Sequence, residues 1–387
     1  MHGVAADHTH ALGGSRRPLA EVYDVALLDL DGVVYIGSQA VHGACEALRN
    51  ARQRGMRLAF VTNNAARPPA IVAKHLTELG IPASEDEVVT SAQAAAHYLS
   101  ERLPIGANVL VIGTVGLVEA LAERGLVAVK SADDEPVAVV QGYSPDLDWA
   151  QLAEGAIAIN RGLPWVATNV DPTVPSRRGP LPGNGSLVAA LRHATGATPV
   201  VTGKPQPTMH AESVQRSRAR NPLVVGDRLD TDIEGANAVG CASLLVLSGV
   251  TTPAEVIHAP PVMRPTYLGR DLFGLLQAHI APTESVATVR CGRWTARMGE
   301  DAAVSLELSG LPEAGPEAHV GDEMGADRSS NDGLDALRAV CVAAWRLADA
   351  EQTPSPTDRP GRTPRVQIAA LDGDSARELE RLGLGPS

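Results

Sequence analysis

Two carboxylates stand one residue apart where an apolar run ends: "ALLDLDGVV", Ala26 to Val34, carries Asp29 and Asp31. In an open parallel sheet, ligands bind outside the carboxyl ends of the strands, so acids placed there can meet a substrate. The same pair could instead cap a turn before Gly32. Three further stretches bear on the choice. "VTNN" ends another apolar run with Thr62, Asn63 and Asn64, a set of hydroxyl, amide and backbone donors for an anion or an ordinary helix cap. "TGKP" places Lys204 ahead of a helical pattern, and "VVGDRLDTDI" follows its apolar run with Asp227, Asp230 and Asp232. Those three acids could begin a solvated helix, or hold a divalent cation through hard oxygen ligands. An acid pair, a hydroxyl-amide cluster, a lysine and an acid cluster, all on one edge of a parallel sheet, are together far more specific than any one of them.

The elements that would position these groups alternate. Short apolar runs fall at 22–30, 57–61, 109–112, 137–141, 165–168, 200–202, 223–225 and 242–247, with helical patterns between most of them. This is the signature of β-α units, so the expected fold is α/β with a parallel sheet. "RPPAIVAKHLTELG" opens on prolines and stops at Gly80, as helix start and stop signals require.

In order, "DLDGVV", "VTNN", "GKP" and "GDRLDTDI" closely resemble the four motifs of the haloacid dehalogenase superfamily. The resemblance implies a Rossmann-like core and phosphoryl transfer. Asp29 would be the nucleophile, forming an aspartyl-phosphate, and Asp31 the general acid and base. Thr62, Asn63, Asn64 and Lys204 would bind phosphate. Mg²⁺ would be held by Asp29, the carbonyl of Asp31 and Asp227, with Asp232 acting through water. A phosphate dianion repels nucleophiles, so a carboxylate can attack only when a cation and fixed donors neutralise its oxygens. Asp31 favours ester chemistry over dehalogenation, because an alkoxide must leave with a proton and a halide need not.

About 140 positions separate Thr62 from Lys204, far beyond an ordinary connection. A folded insertion is expected there. Its "ATNVD" and "PGNGSLVAAL" resemble subclass IIA, the phosphoglycolate and 4-nitrophenyl phosphatases, whose type 2 α/β cap closes over the site. The loop 169–182 would then choose the leaving group. The expected organisation is a flexible arm (1–19), a core (20–91 and 199–280), a cap (92–198) and a C-terminal domain (283–387). A subclass IIA phosphatase with such a tail resembles the actinobacterial glycerol 3-phosphate phosphatases, whose C-terminal region is an α+β, GNAT-like (acetyltransferase-type) domain. Here "GADRSSNDG" lacks the Gly-x-Gly spacing of a pyrophosphate loop, so a structural or regulatory module is expected. The resemblance implies hydrolysis of glycerol 3-phosphate in glycerophospholipid metabolism. The alternatives are phosphoglycolate, sugar phosphates or nucleotides, or a bifunctional or non-catalytic protein that works through its tail.

Composition removes other classes. A net charge of -12 would repel a nucleic-acid backbone. There is no run of roughly 18 apolar residues for a membrane span, and no apolar leader. Cys45, Cys241, Cys291 and Cys341 form no C-x-x-C pair, which fits a reduced cytoplasm. Lys204 is not a Walker lysine: Thr198 stands where glycine is needed, and Pro205 replaces Ser or Thr. "GNGSLV" lacks the third glycine of a dinucleotide fingerprint and reads as a helix start. The expected partner is a small phosphomonoester, with neither nucleic acid nor membrane, and the tail could form a homodimer interface.

Overall fold

The computed structural model describes residues 12–174, 178–299, 303–308, 332–351 and 367–384. Six parallel strands form the core sheet in the order Tyr267–Gly269, Ala242–Val246, Pro222–Gly226, Val25–Leu28, Arg57–Thr62, Val88–Thr90. The chain fills one side of Val25–Leu28 with its next strands and the other side with its later ones. A topological switch point therefore falls between Val25–Leu28 and Pro222–Gly226, where such sheets open a crevice for ligands. Asp29 and Asp227 each follow one of these two strands, and the Asp29 N–H donates to the Val225 carbonyl at 2.8 Å.

A second parallel sheet runs Val200–Val201, Trp165–Ala167, Ala138–Gln141, Asn108–Ile112, Val127–Val129. Between the two sheets lies the helix Ser91–Ser100, started by a Thr90/Gln93 capping box. Its alanines serve both sides. Ala94 joins Val25, Leu27 and Val224 of the core sheet, while Ala92, Ala95, Ala96 and Leu99 pack with Val109 and Val140 of the second. Small side chains let one helix lie close to two sheets.

Several expectations need correction. The strand expected over 22–30 is Val25–Leu28, preceded by a helical turn Leu19–Val22 that buries Leu19 and Ala20. The arm expected over 1–19 is packed from residue 12 onward: Leu12 is buried, and Ser15 bridges to His279; residues 1–11 lie outside the described set. The strand before Lys204 was expected on the edge shared by the other motifs. It pairs instead with Trp165–Ala167 in the second sheet. Three of the four motifs thus come from the core sheet, and the lysine arrives from across the crevice.

The C-terminal segment adds an antiparallel run, Thr283–Glu284, Thr288–Cys291, Trp294–Met298 and Ala303–Leu308, extended in parallel by Gln367–Ala370. "VATVRCGRWTARM" is therefore two strands turning at Gly292. The helix Asp335–Glu351 packs on this sheet and against the core as well. One buried cluster holds Leu245, Val256, Ile257 and Leu268 together with Val289, Leu337 and Trp345. The Trp345 indole N–H donates to the Val256 carbonyl at 3.0 Å, and Arg264 makes a two-point pair with Asp349 at 2.6 and 2.8 Å. The segment is thus continuous with the core's own packing. Most of "GADRSSNDG", residues 325–331, and the stretch 352–364 lie outside the described residues.

Candidate active site

Three carboxylates meet at the switch point. Single ligand oxygens of Asp29, Asp227 and Asp232 all lie within 4.8 Å of one another. Lys204 enters from the second sheet, its ammonium bonded to Asp29 and, at 2.8 Å, to Asp232. Lys204, Asp227 and Asp232 are buried. Burial pushes the Asp29 carboxyl well above the usual carboxylate range; the Lys204 ammonium opposes this, while Asp232 and Asp227 add to it. Burial and Asp232 likewise raise Asp227 to about 6. Burial alone would lower the pKa of Lys204, but Asp232 and Asp29 more than offset it and hold the lysine charged. With all three carboxylates ionised, the single ammonium would leave a formal excess of two negative charges, which is why burial and mutual repulsion raise Asp29 and Asp227.

The residues fit a divalent cation on a second count. Asp227 Oδ1 is buried with no hydrogen-bond partner, an acceptor left over for a ligand. Its other oxygen accepts the Val250 N–H at 2.7 Å. The loop holding that N–H is tied to the first motif, since the Ser248 hydroxyl donates to the Gly32 carbonyl at 2.8 Å. Gly32 has φ +87°, and a Cβ there would lie 2.4 Å from Asp227 Oδ2. Nothing in the types around Ser248 to Val250 marked this loop beforehand; its one signal is Gly249 closely following a strand.

Asp31 is exposed and lies outside the three-acid cluster. Desolvation by its surroundings raises its pKa despite the opposing fields of Lys204, Arg67 and His75. A raised carboxyl is suited to give up a proton near neutral pH. Asp230, singled out with the other acids, turns outward and pairs with Arg228 at 2.8 Å.

The second motif divides its labour. Thr62 is buried, and its hydroxyl accepts the Asn64 N–H at 3.1 Å, while Asn64 Oδ1 accepts from Ala66 N–H at 2.8 Å. The Asn63 side chain, expected on phosphate, is committed elsewhere. Its Oδ1 accepts the Lys204 N–H at 2.8 Å, and its Nδ2 donates to the Lys204 carbonyl and to Asp171, both at 3.2 Å. The residue type was legible in advance; its direction depends on where residue 204 lies, which is a long-range fact.

A buried acid cluster with one lysine, at the switch point of a parallel sheet, defines the class. The chain belongs to the haloacid dehalogenase-like hydrolases: the family model of that description matches residues 26–127, and a HAD-hydrolase-like model matches 201–275. It is 47% identical to the D-glycerol 3-phosphate phosphatase of Mycobacterium tuberculosis over 340 residues, 87% of this chain and 91% of that protein. The solved structure of glycerol phosphate phosphatase from Mycobacterium tuberculosis in complex with magnesium has a TM-score of 0.79 at 43% identity, covering 95% of this chain and 99% of that one. A 5'-nucleotidase of Bacillus subtilis is 38% identical over 60% of this chain and 90% of its own length.

Proposed function

We propose that this hydrolase is a Mg²⁺-dependent phosphatase of small phosphomonoesters, with glycerol 3-phosphate as its substrate. The observation that carries the chemistry is the cluster of half-buried Asp29 with buried Asp227 and Asp232 around Lys204. The substrate rests on coverage. The nucleotidase relative matches 60% of the chain, whereas the match to the glycerol 3-phosphate phosphatase extends over 87% and so takes in C-terminal sequence. That segment is read as a GNAT-like structural module, the insertion 92–198 as a cap on a core of 20–91 and 199–280, and the setting as cytoplasmic. Among the described residues, no helix is long and apolar enough to cross a membrane.

Asp29, Asp227 and the Asp31 carbonyl would hold the ion. Asp232 would act from outside them, since its oxygens already serve Lys204 and the Arg228 N–H. Bound there, Mg²⁺ supplies positive charge to the phosphate oxygens. Asp29 attacks phosphorus in line, forming the acyl phosphate as the P–O bond to glycerol breaks. Asp31 gives its proton to the leaving alkoxide, then takes one from the water that hydrolyses the acyl phosphate, which returns Asp29 and releases phosphate. Lys204 holds Asp29 in line and shares the phosphoryl charge, with the Thr62 hydroxyl and the Asn64 end of the loop on the remaining oxygens.

Substrate choice is tested by kcat/KM over glycerol 3-phosphate, phosphoglycolate, a hexose phosphate and nucleoside monophosphates, with Mg²⁺ and with EDTA. A metal-dependent preference for glycerol 3-phosphate is expected; preference for a nucleotide would overturn the substrate assignment while leaving the chemistry.

The loop behind Asp227 gives a second test. A Cβ at Gly249 would lie 1.9 Å from Asp227 Oδ2, so Gly249→Ala must displace the carboxylate or the loop. The expected result is a fall in kcat/KM of roughly 100-fold with a raised Mg²⁺ requirement, because small misplacements of reacting groups are costly. Steady-state rates across a Mg²⁺ titration would show it, and an unchanged requirement would remove Asp227 from the ion's ligands.

A further inference from the structure

A continuous chain of hydrogen bonds runs from a helix of the insertion to the site lysine. It begins at Asn184, the first residue of the helix Asn184–Thr195, whose buried side chain donates to the Asn169 carbonyl at 2.7 Å. The glycines on either side allow this approach. A Cβ at Gly185 would lie 2.1 Å from the Val170 carbonyl oxygen, and one at Gly183 would lie 2.4 Å from that of Asp171. This is the structural use of "GNGS", the stretch that resembled a dinucleotide fingerprint. Asn169, also buried, donates to the Asn63 carbonyl at 2.7 Å and accepts the Asp171 N–H at 3.1 Å. Asn63 then clamps both backbone groups of Lys204, while its Nδ2 also reaches Asp171. Gly203 is needed at the junction, since a Cβ there would lie 2.3 Å from the Thr168 carbonyl oxygen and 2.7 Å from Asn63 Oδ1.

We infer that Asn184, Asn169 and Asn63 are positioning residues that fix the Lys204 ammonium against Asp29 and Asp232, and so link the loop at 169–171 to the chemical step. This rests on the phosphatase reading above. Lys204 reaches Asp29 from a two-residue strand of the other sheet, so its backbone is held by side chains more than by a ladder. The asparagines supply that hold. Asn184 is two hydrogen-bonded residues removed from Lys204, so it acts on the reaction only by transmission. Contacts that a leaving group makes with the loop are then felt at Lys204, where they change kcat, whereas contacts that only bound the substrate would change KM.

The test is a double-mutant cycle on the full chain with Mg²⁺ and 4-nitrophenyl phosphate. Asn184→Ala should lower kcat by roughly 10- to 100-fold with little change in KM. In a Lys204→Met background the same change should alter kcat by less than about twofold, because its effect passes through the lysine. Equal factors in both backgrounds, or an effect confined to KM, would overturn the inference. Asn169→Asp, which keeps the shape and removes the donor to Asn63, breaks the same chain and should behave alike if Asn184→Ala folds poorly. Where Lys204→Met is too slow to measure, a crystal structure of the single variant decides. An ammonium displaced from Asp29 or Asp232 supports the relay; an ammonium in place beside a lowered kcat contradicts it. Wild-type protein without metal-dependent turnover would refute the phosphatase reading and the inference together, whereas normal wild-type turnover with an additive cycle refutes the inference alone.

Discussion

Replacing Asp29 by Asn should lower phosphate release by roughly 10⁴-fold or more, since an amide cannot serve as the nucleophile that the covalent route requires. The fold should survive the change. Asn is nearly isosteric, and the Asp29 backbone keeps its bond to the Val225 carbonyl. In the absence of metal the variant should be no less stable than the wild type. Burial and two neighbouring acids hold the Asp29 carboxyl above its ordinary pKa, so removing that charge relieves a crowded site. Circular dichroism and thermal unfolding in EDTA would check this beside the kinetic assay. A variant that is folded and still active would exclude Asp29 as the attacking group.

Lys204→Met should damage both activity and stability. The ammonium joins Asp29 and Asp232, whose side chains are 14% and 1% exposed, while Lys204 itself is 4% exposed. Deleting one partner of a buried charge pair strands the other, at a cost of about 3–5 kcal/mol. A bound cation offers the same acids a replacement countercharge, and a ligand that binds only the folded state stabilises it. The loss of Tm should therefore be large in EDTA and smaller in excess Mg²⁺. Turnover should fall by about 10³-fold even with metal, because the phosphoryl charge loses a preorganised cation. Calorimetry at fixed pH with and without Mg²⁺ separates the two effects. A Tm loss of equal size in both conditions would mean that the lysine and the metal do not share these carboxylates.

The chemistry was legible in the sequence because each motif is local. Asp29 and Asp227 directly follow buried strands and Thr62 ends one, and strand ends can be recognised from a few apolar residues and the polar residue that closes or follows them. Lys204 was also legible as a residue, but its sheet was not. Val200–Val201 is too short to declare a partner, and its pairing with Trp165–Ala167 is set by the folding of the whole insertion. The Asn63 side chain shows the same limit, since its direction follows from where residue 204 arrives. At the N-terminus, the apolar content of 22–30 suggested one long strand. Leu19 and Ala20 find burial in a helical turn, which shortens the strand to Val25–Leu28. The sequence marks the tail as a separate C-terminal domain over 283–387. Its long helix nonetheless shares a core with Leu245 and Leu268, residues roughly 70 to 100 positions away, which no local pattern encodes.

The most direct test of Asp29 as the attacking group is a rapid acid quench of the enzyme turning over [³²P]glycerol 3-phosphate with Mg²⁺, followed by peptide mapping. The expected result is label bound to the peptide that carries Asp29, absent in Asp29→Asn and when EDTA replaces the metal. Steady phosphate release with no protein-bound label at any quench time, together with an active Asp29→Asn variant, would contradict it.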